Sequence, residues 1–332
     1  MSHSITRYED RFAAPWDALI ARSHGGTIMH SRRFLAYHGD RFQDESLCLW
    51  SDPGVRLQAA LPLARSPSAP DTIVSHPGST FGGLIEDGID PEKRATLLSA
   101  CARHLLDRGF RRMTYKPQPA IFGQQFDESD LRLMIRVASV HRTDLWNFIR
   151  LDRAHALSEK RRSSVKAAGR KEITVREAQG EAEWRLFYSM LTENLSARHG
   201  VAPVHSIDEL LSLRGRLEDG SRLWLAIGPG GEILAGTWCL AYNSSTAHTQ
   251  YIASTEQGRK LGAVDFLLAN LIGRYAEAGF GIFSFGVNTL KDGFSINKGL
   301  LKQKLQFGSG VTVHWHFDVD LERLAAIDAG FQ

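Results

Sequence analysis

The 332-residue chain carries 40 lysines and arginines against 37 acids, a formal charge of +3, with 43% hydrophobic residues. That length buries a sizeable core and favours two domains over one, and so small a net charge gives no ground for DNA as a partner. The N-terminus lacks the apolar core of a signal peptide and no stretch approaches eighteen apolar residues, so a cytoplasmic protein without membrane insertion is expected. Cys48, Cys101 and Cys239 are far apart and without metal spacing, which predicts reduced, buried thiols and no disulfide frame.

In chain order, residues 14–21 read as a short amphipathic helix, and Ser31 as the N-cap of a second one at Phe34. Residues 46–50 and 55–63 read as strands of a meander around the Asp52-Pro53-Gly54 turn. A glycine-punctuated segment, residues 75–85, leads to a helix over residues 91–108 that closes at Gly109. Residues 112–116 form another strand, which Lys116-Pro-Gln-Pro119 stops because proline cannot donate to a ladder.

Residues 143–151 read as a strand crossing between the halves. Ser158 then caps a basic helix in which Lys160, Arg161, Arg162 and Lys166 crowd together, which reads either as a solvated face or, because like charges repel, as a site for an anion such as phosphate. A strand at 173–177 and a long helix at 182–198, stopped by His199-Gly200, follow. Ser206 with Glu209 three residues on is a capping box, and strands at 223–227 and 233–242 flank the Gly228-Pro-Gly-Gly231 hairpin turn.

The rest of the chain is organised around residues 246–308. A strand at 246–254, a polar glycine-bearing turn at 255–262, a helix-period segment stopped by Gly279 and a strand at 281–287 make a βαβ unit. Its turn points backbone N–H groups and a helix N-terminus at one place, which suits an anion. The first half repeats the same order of meander, glycine turn, helix and strand.

This element order resembles the GNAT acyltransferase fold, and three stretches resemble its Fem-type tandem branch, which includes the peptidoglycan bridge peptidyltransferases. Lys160-Arg-Arg with the basic helix and Ile173-Thr-Val resembles the entry to that family's second domain. Phe283-Ser-Phe-Gly286 is similar to its Phe-Asp-Phe-Gly strand, with Ser284 replacing the acid, and Gln303-Lys-Leu-Gln-Phe-Gly308 is similar to the end of its last helix, with Gln303 replacing an aromatic. The resemblance implies an α/β fold with a mixed sheet and two tandem GNAT-like domains, a degenerate one over residues 1–150 and a more complete acyltransferase domain over 151–332.

Acyl transfer to an amine needs a held donor, a deprotonated amine and hydrogen-bond donors facing the developing oxyanion. The resemblance places an acyl-coenzyme A between the two strands of the βαβ unit. Ala253 and Ser254 would lie at the strand end, and Gln257, Gly258, Arg259, Lys260 and Gly262 at the phosphates, although Gln257 and Gly262 are spaced five apart, unlike the superfamily's turn. Lys304 falls on the family's lysine, near a substrate phosphate or the reacting carbonyl. Tyr251 is the candidate general acid to the leaving thiolate, and Asn288 the candidate for orienting a substrate amide.

Arg161, Arg162, His199 and Lys116 are the candidate substrate-binding residues, with His199, His205 and His248 as candidate bases. His314-Trp-His316 puts two imidazoles on one face of the last strand, and without a third ligand in the sequence no metal is expected. The function implied is an N-acyltransferase moving an acyl group from acyl-coenzyme A, acetyl-coenzyme A included, to a small cytoplasmic amine such as an amino sugar or cell-envelope precursor. The alternatives are an aminoacyl-tRNA-dependent peptidyltransferase of Fem type, with tRNA as partner, and a GNAT-like scaffold that binds without catalysis.

Overall fold

The computed structural model describes residues 4–51, 56–88 and 90–327, without the side chains of Arg198 and His199. The Asp52-Pro53-Gly54 turn expected above lies outside the described residues. The chain divides into two units: one runs to Leu145 and takes in Thr289–Ser295 and the segment from Val313, and the other is Trp146–Asn288 with Ile296–Thr312. The division therefore falls at Leu145, where a cut at residue 150 was expected, and the C-terminal segment belongs to the first unit.

Unit 1 opens with β1 (Ser4–Arg7), α1 (Ala13–Arg22) and α2 (Arg32–Leu35), then β2 (Leu47–Trp50), β3 (Leu57–Leu61), β4 (Ala64–Arg65), β5 (Thr72–Val74) and β6 (Ile85–Glu86). Next come α3 (Pro91–Asp107), β7 (Arg112–Tyr115), α4 (Ser129–Val137) and β8 (Ala138–Arg150), whose last residues open unit 2. Unit 2 continues with α5 (Glu159–Gly169), β9 (Thr174–Glu177), α6 (Glu181–His199), α7 (Ile207–Leu217), β10 (Ser221–Ile227), β11 (Ile233–Ala241) and β12 (Thr246–Ser254). It closes with α8 (Glu256–Leu261), α9 (Ala263–Glu277), β13 (Ile282–Val287) and α10 (Lys298–Leu305), before β14 (Gly310–Asp320) and α11 (Leu321–Ala325).

Local chemistry sets the ends of these elements. Asp90 accepts the Glu92 and Lys93 N–H groups ahead of Pro91, which has none to leave unsatisfied, so α3 starts there. It stops at Gly109, whose φ of 89° suits glycine, and α9 stops the same way at Gly279 with φ 85°. The Ser206–Glu209 capping box expected on α7 is present with both bonds made.

Each unit is built around a parallel strand pair joined through a helix. In unit 1, β5 pairs with β7 (Thr72↔Arg112 to Val74↔Thr114) across α3, in the order β4-β5-β7-β14, beside a separate sheet of order β1-β2-β3-β6. In unit 2, β12 pairs with β13 (Thr246↔Ile282 to His248↔Ser284) across α9, in the order β8-β13-β12-β11-β10-β9. The repeat seen in the sequence is thus a repeat of topology, two tandem GNAT-like units on mixed sheets.

Each unit has its own core. Leu97, Leu98, Leu105, Met113, Tyr115, Phe317 and Leu321 are among the fully buried residues of unit 1, and Ile149, Leu267, Leu271, Phe283 and Phe307 of unit 2. All three cysteines are buried, and burial pushes their thiols up to about 12, so they stay protonated and unreactive.

Candidate active site

The parallel ladder between β12 and β13 stops after His248↔Ser284, earlier than the Tyr251 and Val287 ends of the strands. Two irregularities drive the strands apart: β12 shifts register against β11 between Trp238 and Cys239, and β13 shifts against β8 between Ser284 and Gly286. Bulges bend a strand and end its pairing. The gap they leave is a cavity of about 490 Å³, lined at its base by Ile252, Ala253, Ser254 and Phe285 and at its sides by Gly258 to Gly262 and Lys304.

The segment after β12 is not an open turn. Residues 256–261 form α8, with Thr255 as N-cap: its Oγ1 accepts the Gly258 N–H at 2.9 Å and its carbonyl accepts the Arg259 N–H at 3.0 Å. The Gly262 N–H is used by the Arg259 carbonyl, so three of the five expected phosphate donors are consumed within the turn. The next helix end bordering the cavity is that of α9, whose N-cap Gly262 (φ 73°) brings no side-chain bond to the first turn. Gln257 does not line the cavity and reaches Glu232 instead, while Lys260 pairs with Glu256 at the surface. Arg259 donates to the Ser254 carbonyl at 2.9 Å, across the cavity mouth.

Gly258 is required by packing. A Cβ there would lie 2.0 Å from the Leu234 carbonyl oxygen, a backbone atom that cannot swing away. Gly258→Ala is therefore expected to cost about 1–3 kcal/mol, read as a lower urea midpoint, and to weaken donor binding by lifting α8 off β11. Wild-type midpoint and donor affinity in the variant would show that the close approach is unimportant.

Lys304, in the last turn of α10, is buried although its neighbours Lys298 and Lys302 are exposed. Its Nζ donates to the Gly286 and Val287 carbonyls at 3.0 and 2.9 Å, on the β13 side of the gap. Burial pulls its pKa down to about 7. A chain of hydrogen bonds holds the helix end: Asn288 Nδ2 donates to Asn147, Asn147 to Ser309, and Ser309 Oγ to the Lys304 carbonyl. Asn288 thus sits beneath α10 and off the cavity wall.

Tyr251 also lies off the cavity. Its hydroxyl is 2.7 Å from His205 Nδ1, and burial raises it to about 12. His248 is stacked on Tyr242 and bonded to Ser284 Oγ, and burial with Lys304 nearby drives its pKa to about 3, so it stays neutral. The serine in place of the family's acid is thereby explained as the partner of a buried imidazole.

Arg161 is a buried structural hub. It pairs with Asp265 in the first turn of α9, donates to Gln306 Oε1 at 2.9 Å and to the Gln303 carbonyl, and covers the Phe307 ring at 4.6 Å. Arg162 is exposed, and the side chain of His199 lies outside the described residues. Lys116, in unit 1, is buried and donates to the His76 and Ser79 carbonyls. There the chain after β5 folds back and Gly82 bridges to Pro117 beyond β7, with its N–H donated to the Lys116 carbonyl, whereas the β12–β13 pair opens.

Sequence reasoning missed Asn194, Lys171 and Asp265 among the cavity residues. Asn194 Nδ2 donates from α6 to the Ser254 carbonyl at 3.0 Å and pins the strand end. Only Asp265 left a trace, as an acid in the first turn of a helix after a glycine.

Residues 154–292 match the family model of the acetyltransferase (GNAT) domain. Among solved structures, FemX is similar over 97% of this chain and 98% of its own, with a TM-score of 0.71 and 13% identity. L-PGS from Bacillus licheniformis is similar over 97% and 94%, at a TM-score of 0.61 and 14% identity. A tandem GNAT protein from the clavulanic acid biosynthesis pathway covers 96% and 99%, at 0.53 and 11%. No curated protein sequence matches the chain. Residues 154–292 thus carry a GNAT acetyltransferase domain, and the chain as a whole has the fold of FemX and of tandem GNAT proteins.

Proposed function

We propose that the protein transfers an acyl group from acyl-coenzyme A to the amine of a small substrate, an amino sugar or cell-envelope precursor, in the cavity of unit 2. The observation that carries this reading is the opened β12–β13 pair, with a buried lysine of depressed pKa at its wall. The carrier's pyrophosphate would rest at the α9 N-terminus, with Lys171, Arg259 and Lys260 supplying positive charge around it. The edge of β12 that β13 leaves beyond His248 borders the cavity at Ile252 and Ala253, where a main-chain N–H would face the acyl carbonyl. When bound, acyl-coenzyme A supplies a thioester carbonyl open to attack by an amine.

Lys304 is assigned the proton transfer. A neutral amine has two N–H bonds and one lone pair; both donors go to Gly286 and Val287, which leaves the lone pair for the acceptor's ammonium. A pKa of about 7 suits a base that must be free at neutral pH yet able to hold a proton. Arg162, exposed on α5, is left for the acceptor, whereas Lys116 is buried in unit 1 with its Nζ held by the His76 and Ser79 carbonyls. Asn288 and Arg161 act as positioning residues, and Tyr251 is placed too far into its pairing with His205 to serve the thiolate.

A second reading, an aminoacyl-tRNA-dependent transferase, is favoured by the end-to-end likeness to FemX and L-PGS. The basic face of α5 with Lys160, Arg162 and Lys166 exposed would then meet the tRNA backbone. Labelled acetyl-coenzyme A and charged tRNA offered separately decide between the two. Turnover with the thioester, insensitive to ribonuclease, is the expected result, and label transfer only from tRNA would replace the first reading with the second.

A further inference from the structure

The two histidines of β14 acquire a third neighbour in unit 1 that the sequence does not reveal. Asp144, His314 and His316 each offer one ligand atom, and these atoms lie within 4.8 Å of one another. His316 Nε2 stands 3.2 Å from Asp144 Oδ2, and the two imidazole rings are 4.5 Å apart. Alternation along β14 brings both rings to one face, and β8 supplies the carboxylate. The cluster is well buried, with Asp144 at 7% exposure and His314 at 1%.

We propose that Asp144, His314 and His316 bind one divalent transition-metal ion, zinc by ligand type. Two imidazoles and one carboxylate form a three-ligand zinc set that leaves a fourth position for water or another oxygen ligand, and two nitrogen donors disfavour magnesium and calcium. Donor atoms around a tetrahedral zinc stand roughly 3.4 Å apart. The Asp144–His316 pair, at 3.2 Å, is already near that spacing, and His314 completes the set from within 4.8 Å of both.

The surroundings fit a second shell. Arg142 grips the carboxylate, with Nε to Oδ1 at 3.0 Å and to Oδ2 at 3.1 Å and Nη2 to Oδ1 at 2.8 Å, and is itself tied to the Leu290 and Lys291 carbonyls. That fixes the carboxylate plane, with Oδ2 shared between Arg142 Nε and the His316 side. The charged side chains facing the two imidazoles are Asp144 and the cations Arg142 and Lys116. The same cations oppose a bound dication, so affinity is set by ligand geometry more than by local charge.

The test uses the full chain without a polyhistidine tag, stripped with chelator and loaded with cobalt(II) or zinc. One equivalent of metal retained through desalting, d–d absorption from the cobalt form and a thermal midpoint raised by zinc are expected. Asp144→Asn, close to isosteric, and His316→Ala should each weaken retention at least tenfold with an unchanged far-ultraviolet spectrum. Absence of retained cobalt, or equal retention in wild type and both variants, overturns the site. So does a fall in the variants' midpoints when zinc leaves the wild type unmoved, because the three residues then form only an Asp–His hydrogen bond. Metal content and spectra are read without turnover, so the result is independent of the acyl-transfer proposal.

Discussion

Lys304→Met is expected to lower turnover at least about a hundredfold, about 2.7 kcal/mol at the barrier, while the folded protein stays at least as stable as the wild type. The first half follows from its place: it is the lysine on the cavity wall that is buried, with two N–H bonds spent on β13 carbonyls. The second half follows from burial, which lowers its pKa from 10.5 to about 7. Between those values the unfolded chain binds a proton that the folded chain does not, so wild-type stability rises with pH across that window and levels off above it. Below about pH 7 the ammonium is charged in both states and its desolvation weighs fully against folding. Methionine removes that cost and fills a similar volume.

The same residue predicts the pH profile. A neutral base gives a rate that climbs with pH through about 7, and Lys304→Arg, charged at every accessible pH, should be as inactive as Lys304→Met. A rate that falls through the same range, with activity kept by arginine, would assign Lys304 to holding negative charge. Wild-type kinetics in a folded Lys304→Met variant would remove it from the chemistry altogether.

Much of this architecture is legible in the sequence because it rests on local rules. Asp90-Pro91 and Gly109 bound one helix, Ser206 and Glu209 start another, and residues 246–254 read as a strand over the span observed for β12. α8 was legible only as a turn, since six residues with a glycine carry too little periodicity to show as helix. The opening of β12 from β13 has no side-chain signature: it comes from register shifts near Cys239 and Ser284, set by how neighbouring strands stack. Tyr251 lies on the strand expected for it, but the His205 ring that meets its hydroxyl comes from 46 residues away and leaves no local sign.

Two buried lysines show the limit most clearly. Lys116 and Lys304 each donate to a pair of backbone carbonyls, and burial lowers them to about 8 and about 7. In sequence both are candidate site residues, Lys304 through the resemblance and Lys116 as a substrate ligand, and nothing separates a buried cation from a solvated one. In space one ties a closed loop in unit 1 and the other borders an open cavity in unit 2, and only the latter position gives an amine something to act on.

Arg161→Ala is expected to cost about 3–5 kcal/mol of stability, the range for removing one partner of a buried ion pair. The sequence places Arg161 in a basic run that reads as a solvated or phosphate-binding face, but its guanidinium is 8% exposed and its partner Asp265 lies 104 residues away. Removing it also strips the cover from Phe307 and the bond to Gln306. The consequence for function is sharper than the loss of stability. Asp265 lines the cavity in the first turn of α9, and once unpaired its carboxylate would occupy the helix end that a phosphate needs, repelling it. Donor KM should therefore rise in Arg161→Ala at a temperature where the variant is fully folded. Asp265→Asn in the same background should restore KM without restoring stability, because it removes the repulsion and leaves the packing defect. The cycle separates the two roles of Arg161: if the second substitution leaves KM high, Arg161 contacts the donor itself, and if Arg161→Ala changes stability by less than about 0.5 kcal/mol, the pair is no more than a surface contact.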